Sequence, residues 1–339
     1  MKISEIEVKG LWNEYDFHWR LNKQVNILSG VNGSGKSTIL MAIASVLKVD
    51  FVKEKYDKRI ERVNISFDED KIKLCLAFVR GSISSLKKKA ESDEIVAGLI
   101  HQIEEDPTVN IKNQVEAQGI QAYADGKMVK PEAVQSSYKS DYIATFDSLA
   151  PSIKNPSLMS DYLIHQKYTE LDLRLLSVVE DFKTYQVEQS NRMAKLVSEG
   201  EQSLERIQAE IQARTDMYDV LDDLFSETGK TVDRDSGELK FIFGHDKSSY
   251  SYTVLSAGEK QLLLIILTVF MQNGKDAVLV MDEPEISMHV DWQRRLIDVI
   301  LKLNPNCQLI IATHSPSMIL NQWRELVVNI SDLLTPVQA

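Results

Sequence analysis

The sequence predicts an α/β protein with an antiparallel β meander at its N-terminus and an inserted α-helical arm. Three observations predict it. Val25 to Leu28 form an apolar run that ends in a glycine-rich turn and an amphipathic helix. Val278 to Met281 form a second apolar run that ends in two carboxylates, and between these halves lies a long region of heptad spacing.

The chain of 339 residues exceeds the roughly 150 of one domain, so two units or one unit with a large insertion is expected. With 43% apolar and 26% charged residues it can bury a core, which excludes low-complexity disorder. The longest apolar run, Leu262 to Met271, is about half the ~20 residues needed to cross a bilayer. No cleavable apolar leader follows Met1, so a cytoplasmic location and no membrane partner are expected. Cys75 and Cys307 both lie in strand-like runs, which predicts buried thiols rather than a disulfide or a metal site.

In order along the chain, residues 1–80 read as an N-terminal lobe. Ile3, Ile6 and Val8, then Phe17 and Trp19, alternate as strands do, and Val25 to Leu28 make a third strand. After Ser29-Gly30 a helix starts near Gly35 and places Ile39, Leu40, Ile43, Val46 and Leu47 on one face. Val63 to Phe67 and Ile72 to Val79 extend the meander. Residues 81–160 read as a mixed insertion with a hairpin turn at Asp125-Gly126. Residues 161–230 read as a helical hairpin arm. Tyr168, Leu171, Leu175, Val178, Phe182 and Tyr185 step by three and four, and after a break near Gly200 the series Leu204, Ile207, Ile211, Tyr218, Leu221 and Phe225 resumes. A first helix of roughly 37 residues would reach ~55 Å, and its stripe serves either core packing or contact with a partner. Residues 231–339 read as a C-terminal lobe, opening with strands at Phe241 to Phe243 and Tyr250 to Val254 around a turn at Gly244 to Lys247 and continuing as α/β.

Gly30-Val31-Asn32-Gly33-Ser34-Gly35-Lys36-Ser37-Thr38 fits G-x-x-x-x-G-K-[ST] between a predicted strand and a predicted helix, the context of a P-loop. Glycines let backbone N–H groups turn onto phosphate oxygens, the helix N-terminus adds positive potential, Lys36 reaches the β/γ-phosphates and the Ser37 hydroxyl ligates Mg²⁺. Val278 to Met281 followed by Asp282-Glu283 has the form of a Walker B strand. Asp282 would hold Mg²⁺, and Glu283 would orient and deprotonate the attacking water. Ser256, with Glu259 three residues on, forms a capping box at the start of an apolar helix, and places the Gly258 amide where an anion binds.

Leu255-Ser256-Ala257-Gly258-Glu259-Lys260-Gln261 resembles the signature motif of ATP-binding cassette (ABC) ATPases, and the order Walker A, signature, Walker B, His314 resembles that superfamily. Asp282-Glu283-Pro284-Glu285-Ile286-Ser287-Met288-His289 and Thr313-His314-Ser315-Pro316 resemble the OLD/RecF-like branch, related to SMC heads. Met288 stands where Leu is usual there and Val290 where Pro is usual. The resemblance covers Met1 to about Arg80 and about Asp235 to Leu334. It implies a P-loop ABC ATPase sheet binding ATP and Mg²⁺, with His314 as the switch histidine on the γ-phosphate. It further implies a head-to-tail homodimer, or higher homo-oligomer, in which Ser256, Gly258 and Glu259 contact the partner's nucleotide. Gln102, Gln114, Gln118, Gln121 and Gln135 are candidates for the Q-loop glutamine, and Trp12 or Tyr15 for the aromatic residue that stacks on adenine. Only 25 residues follow His314, too few for a Toprim or HNH nuclease domain. The resemblance therefore implies an ATP hydrolase that controls a separate effector, a nuclease or toxin, in prokaryotic anti-phage defence.

The alternative is a RecF-like DNA-repair clamp. Its 39 Lys/Arg against 50 Asp/Glu leave a net charge of −11, which opposes nucleic-acid binding by bulk charge. Twelve basic against seven acidic residues between Lys48 and Lys89, including Lys87-Lys88-Lys89, keep DNA in play as a partner. The acidic arm, with eight basic against fifteen acidic residues from Asp161 to Lys230, favours protein instead. A transporter subunit is disfavoured, since the 219 residues between Lys36 and Ser256 contain a helical arm that such subunits lack.

Overall fold

Alternation of apolar and polar residues builds the first layer, as the sequence predicts. In a computed structural model, which describes residues 1–48, 60–68, 71–105, 115–144, 169–199, 204–244, 248–319 and 321–337, the chain opens with strands Ile3–Leu11 (β1), Tyr15–Arg20 (β2) and Val25–Ser29 (β3). The P-loop helix Lys36–Lys48 follows. Arg62–Phe67 (β4), Ile72–Gly81 (β5), Val115–Ala124 (β6), Lys127–Val129 (β7) and Lys139–Ala144 (β8) come next. Beyond the arm lie Thr231–Val232 (β9), Lys240–Phe243 (β10), Ser248–Ser251 (β11), Ala277–Asp282 (β12), Cys307–Ala312 (β13), Val327–Asn329 (β14) and Leu334–Pro336 (β15).

Seven strands form one antiparallel sheet in the order β15-β2-β1-β4-β5-β6-β7, so the last strand of the chain returns to the first meander. Ile6 faces Trp19 and Val8 faces Phe17 across the β1–β2 pair, and all four side chains are buried. Asp125 and Gly126 take φ of 49° and 75° between β6 and β7, the two-residue turn that the sequence predicts there. Five strands form a parallel sheet in the order β14-β3-β13-β12-β8. Burial on both faces is why β12 and β13 read as continuous apolar runs.

β12 shows how the layers meet. Val278 and Val280 point into a core shared with the P-loop helix and the antiparallel sheet, whereas Leu279 and Met281 point into a second core beneath the helix Ala257–Met271. Gln308, fully buried, clamps the two sheets: its Oε1 accepts from the Ile3 N–H at 2.8 Å and its Nε2 donates to the Ile3 carbonyl at 2.8 Å. Cys75 and Cys307 are free and buried, as expected, and burial pushes both thiols up to about 12.

The arm consists of helices Glu170–Glu199 and Leu204–Phe225. The first is 30 residues, about 45 Å, against the ~55 Å expected; the expected start at 161–168 lies outside the described residues. Its stripe is used for core packing: Leu175, Val179 and Phe182, with Met217, Leu221 and Phe225 of the second helix, are fully buried in the core beneath the parallel sheet. The next heptad positions, Gln189 and Arg192, are polar, so the apolar seam ends where the arm leaves the core.

Three elements depart from the sequence reading. The mixed insertion contains two helices, Ile83–Ala90 and Glu94–Glu105, that cover β5 and β6 through Leu86, Val96, Leu99 and Ile100. It also supplies β8 to the parallel sheet beside β12. The second strand expected at Tyr250 to Val254 ends at Ser251 and continues as a 3-10 turn, Tyr252–Val254, and the expected turn at 245–247 lies outside the described residues. Among the described residues, no helix is long and apolar enough to cross a membrane.

Candidate nucleotide site

The five parallel strands end together, and a cleft of about 870 Å³ opens at that edge. Trp12, Asn32, Gly33, Gly35, Lys36, Ser37, Thr38, Glu283, Ile286 and His314 line it, bringing together residues up to 302 positions apart in sequence. β3 delivers the P-loop, β12 delivers Asp282 and Glu283, and β13 delivers His314.

Gly35, at φ 97°, could not be replaced by a larger residue: a Cβ there would lie 2.5 Å from the Trp12 ring. Trp12 and Asn13 have φ of 56° and 61°, and the Glu14 N–H bonds the Leu11 carbonyl at 3.1 Å. They are the central residues of a four-residue turn from Leu11 to Glu14 that needs positive φ at both positions, unusual for a bulky residue, and it lays the indole against the P-loop. Tyr15 instead pairs with Leu11 and Pro336 in the sheet and does not line the cleft. Of the two aromatic candidates, only Trp12 stands beside the phosphate loop.

Lys36 is buried, and its ammonium donates to the carbonyls of Gly30 at 3.1 Å and Val31 at 3.2 Å and to His314 Nε2 at 2.6 Å. Burial lowers its pKa, while Glu283, Asp282 and Glu285 oppose that shift. Asp282 is held above the usual carboxylate range by burial, against the pull of a hydrogen bond with Ser37 and the charge of Lys36. Glu283 sits one residue past the strand at φ 49°, a strained backbone for a non-glycine residue, with its N–H fixed on the Ala312 carbonyl at 2.9 Å. Burial, then the adjacent Glu285 carboxyl, pushes Glu283 up to about 7.

The residues fit a nucleotide with a hard cation. Ser34 Oγ is buried without a hydrogen-bond partner, the space above Gly33 is open, and Ser37 and Asp282 present paired oxygen donors of the kind Mg²⁺ takes.

Ser256 caps the helix Ala257–Met271 in the predicted capping box: Glu259 Oε2 accepts from the Ser256 N–H at 2.9 Å, while Ser256 Oγ accepts from the Glu259 N–H at 3.4 Å. Glu259 is nearly buried and also accepts from Lys230 at 2.8 Å and Thr228 at 2.9 Å. Its carboxylate is therefore committed to this helix start and the arm root rather than presented outward. Ser256 is exposed, and neither it nor Gly258 lines the cleft of the same chain.

Two Q-loop candidates are placed elsewhere. Gln121 donates to the Ile95 carbonyl at 3.1 Å beneath the covering helices, and Gln135 donates to the Leu47 carbonyl at 2.6 Å, at the far end of the P-loop helix from the phosphates. The side chains of Gln102, Gln114 and Gln118 lie outside the described residues. Sequence reasoning missed Glu285, Thr313 and Gln293, which join the Walker B segment to the His314 loop. The acid two residues after Glu283 and the Thr before His314 were the available signals.

Two family descriptions match: "AAA domain, putative AbiEii toxin, Type IV TA system" over residues 129–320 and "AAA ATPase domain" over residues 1–170. The chain is 21% identical to the Septu protein PtuA of Bacillus thuringiensis, over 94% of this chain and 72% of that protein. It is 22% identical to the retron Vc95 probable ATPase of Vibrio cholerae serotype O1 biovar El Tor, over 92% of this chain and 70% of that protein. A solved SMC head bound to the C-terminal winged-helix domain of ScpA superposes with a TM-score of 0.51 at 16% identity, covering 97% of this chain and 94% of that one, which shows a shared fold. The chain belongs to the AAA domain family so described, as an ABC-type P-loop ATPase of the OLD/Rad50-like branch.

Proposed function

We infer that two copies of this chain close head to tail around ATP, hydrolyse it, and so control a separate effector, a nuclease or toxin, in prokaryotic anti-phage defence. The observation that carries this reading is a division of labour within one chain: the phosphate-facing residues converge on one cleft, while the exposed signature turn at Ser256 lies outside it. A signature outside its own cleft supports a reading in which it serves a second copy. Val31, on the P-loop, and Val254, just before the signature, are exposed apolar residues on the surfaces that would meet.

Each residue then has a role. Lys36 and the P-loop amides hold the β/γ-phosphates. Ser37 and Asp282 would hold Mg²⁺, which when bound neutralises charge on the phosphate oxygens. Glu283 takes the proton from the attacking water, for which a pKa near 7 is well matched. His314 contacts the γ-phosphate, and Ser256 and Gly258 reach the partner's nucleotide. The relatives named Septu protein PtuA and retron probable ATPase, which align over most of this chain, support the defence setting.

The DNA-clamp reading rests on Lys87-Lys88-Lys89. These occupy the last turn of a helix, where cations are favoured whether or not a ligand is present. Sedimentation of the Glu283→Gln variant tests the leading reading: ATP should convert monomer to dimer, and ADP should not. A monomer with ATP would overturn the head-to-tail reading, and salt-dependent binding of the ATP-bound protein to duplex DNA would favour the clamp, in which ATP closure grips the duplex.

A further inference from the structure

We propose that Glu285 is a positioning residue for ATP hydrolysis: its buried carboxylate fixes the loop that carries His314 relative to the segment that carries Glu283. The proposal rests on the hydrolytic reading above and names a residue outside the set that touches phosphate.

The register of the parallel sheet creates the arrangement. Asp282 lies opposite Ala312, so the two segments leaving β12 and β13 emerge side by side at the cleft. One segment turns at Glu283 through positive φ, which brings Glu285 back under the other. A single oxygen, Glu285 Oε1, then accepts from the Thr313 hydroxyl, from the His314 N–H at 3.1 Å and from the Ser315 N–H at 3.1 Å. Consecutive amides aimed at one carboxylate make a small anion nest, and a charged acceptor makes each bond strong and directional.

A second tie runs in parallel. Gln293 accepts from the Ser315 hydroxyl at 2.6 Å and donates to the Met288 carbonyl at 3.0 Å, so the loop after β13 is held at both Thr313–Ser315 and Ser315 to the helix beyond. Glu285 is 7% exposed and lines no part of the cleft. Burying a carboxylate is costly unless donors compensate it; here Thr313, His314 and Ser315 donate from the loop whose position decides where the His314 ring sits, and the Glu283 carboxyl hydrogen-bonds Glu285 as well. That ring lies 2.6 Å from Lys36 Nζ and 3.3 Å from Glu283 Oε1, so a small shift of the loop moves it out of reach of both.

The test measures single-turnover ATP hydrolysis and binding of a fluorescent ATP analogue in full-length protein, for Glu285→Gln, His314→Ala and the double variant. The amide of Glu285→Gln keeps the shape but offers a neutral acceptor. The single-turnover rate should fall roughly 10- to 100-fold, as misplacement of a reacting geometry does, with analogue affinity changed by less than about threefold. In the His314→Ala background the same change should cost markedly less, because much of its effect runs through that loop and only the remainder through the direct contact of Glu285 with Glu283. Thr313→Val, which removes one donor and conserves volume, provides the same cycle if Glu285→Gln does not fold. Full additivity with His314→Ala, or an unchanged rate, overturns the proposal. Absence of turnover in the unsubstituted protein overturns the hydrolytic reading and this proposal with it, a result distinct from either.

Discussion

Lys36 Nζ lies 2.6 Å from His314 Nε2, a contact between two residues 278 positions apart. An ammonium has only donors, so the contact assigns the acceptor role to the imidazole nitrogen, which requires a neutral ring with its proton on Nδ1. Burial and then the charge of Lys36 both lower the His314 pKa, in agreement with that tautomer. Glu283 Oε1 lies 3.3 Å from the same nitrogen. The Lys36 cation, His314 and the proposed base thus form one connected cluster before any phosphate is considered.

Removing the cation should remove nucleotide binding. Lys36→Ala leaves three acceptors, the Gly30 and Val31 carbonyls and His314 Nε2, without their common donor, and takes away the charge that would face the β/γ-phosphates. Equilibrium binding of ATP should weaken at least about tenfold, a loss of ~1.4 kcal/mol or more. Unchanged affinity would place the phosphates elsewhere.

Glu283→Gln should separate binding from chemistry. The amide preserves the strained turn at Glu283 and leaves Ser37 and Asp282 untouched, but it cannot accept a proton. ATP should still bind, while turnover falls by roughly 10²-fold or more. A variant that hydrolyses ATP normally would show that another residue is the base.

The same residue gives a pH signature in protein free of nucleotide. Burial and Glu285 push the Glu283 pKa up to about 7 from its ordinary 4.5, so the folded protein favours the protonated form. That contribution to stability is fully present below about pH 4.5 and is lost as pH rises through about 7. Between about pH 5 and about pH 8 the Tm of the unsubstituted protein should therefore decline relative to that of Glu283→Gln. Asp282 is shifted in the same direction but is present in both proteins, so the difference isolates Glu283. A pH-independent difference in Tm would refute the raised pKa.

What the sequence revealed was local. Val25 to Leu47 and Val278 to Glu283 each carry their whole signal within one strand and one turn, and both stand where the motifs predict. The edge strand β8 was illegible because Lys139–Ala144 alternates weakly and gains its apolar surroundings only beside β12. Likewise Gln121 and Gln135 looked like phosphate ligands only while their elements were unplaced. The role of Glu285 was not legible beyond its place two residues after Glu283, since its partners arrive through the pairing of β12 with β13. Trp12 could be separated from Tyr15 only by the hairpin turn that aims one of them at Gly35.

Gly258→Ala should disable the signature without emptying the cleft. A Cβ at Gly258 would lie 2.1 Å from the Ser287 carbonyl oxygen, which is backbone and cannot swing aside. Ser287 is itself at φ 67°, in the segment that leads from Glu283, so the displacement reaches the proposed base as well as the signature. Overpacking of this kind costs about 1–3 kcal/mol, measurable as a lower urea midpoint. ATP binding should persist, because Gly258 does not line the cleft, while turnover and ATP-dependent dimerisation should both drop. A loss of ATP binding equal to that of Lys36→Ala would contradict this separation.

The arm divides into a root that the fold requires and a distal part that it does not. Phe182 is fully buried and meets Phe270 of the signature helix edge-on at 5.8 Å, while Phe225 packs on Phe241 at 5.6 Å and Trp292 at 5.8 Å. Lys260, in the signature helix, pairs with Asp172 at 2.8 Å, so the root is tied to the nucleotide-binding half by charge as well as by packing. Farther out, Val187, Val197 and Ile211 are 61%, 70% and 41% exposed, and burying them cannot be what holds the arm together. Phe182→Ala should therefore cost about 3–5 kcal/mol, whereas Val197→Ala should stay within about 0.5 kcal/mol. Replacing residues 161–230 entirely should unfold the C-terminal half, because it strips Leu262, Phe270 and Trp292 of their cover. Replacing only residues 190–211 with a short Gly/Ser linker should leave the Tm and ATP affinity close to those of the full chain. If the distal arm is where an effector docks, co-purification should be lost in that shorter replacement alone. An effector that stays bound without it would move the docking surface to the root or to the antiparallel sheet.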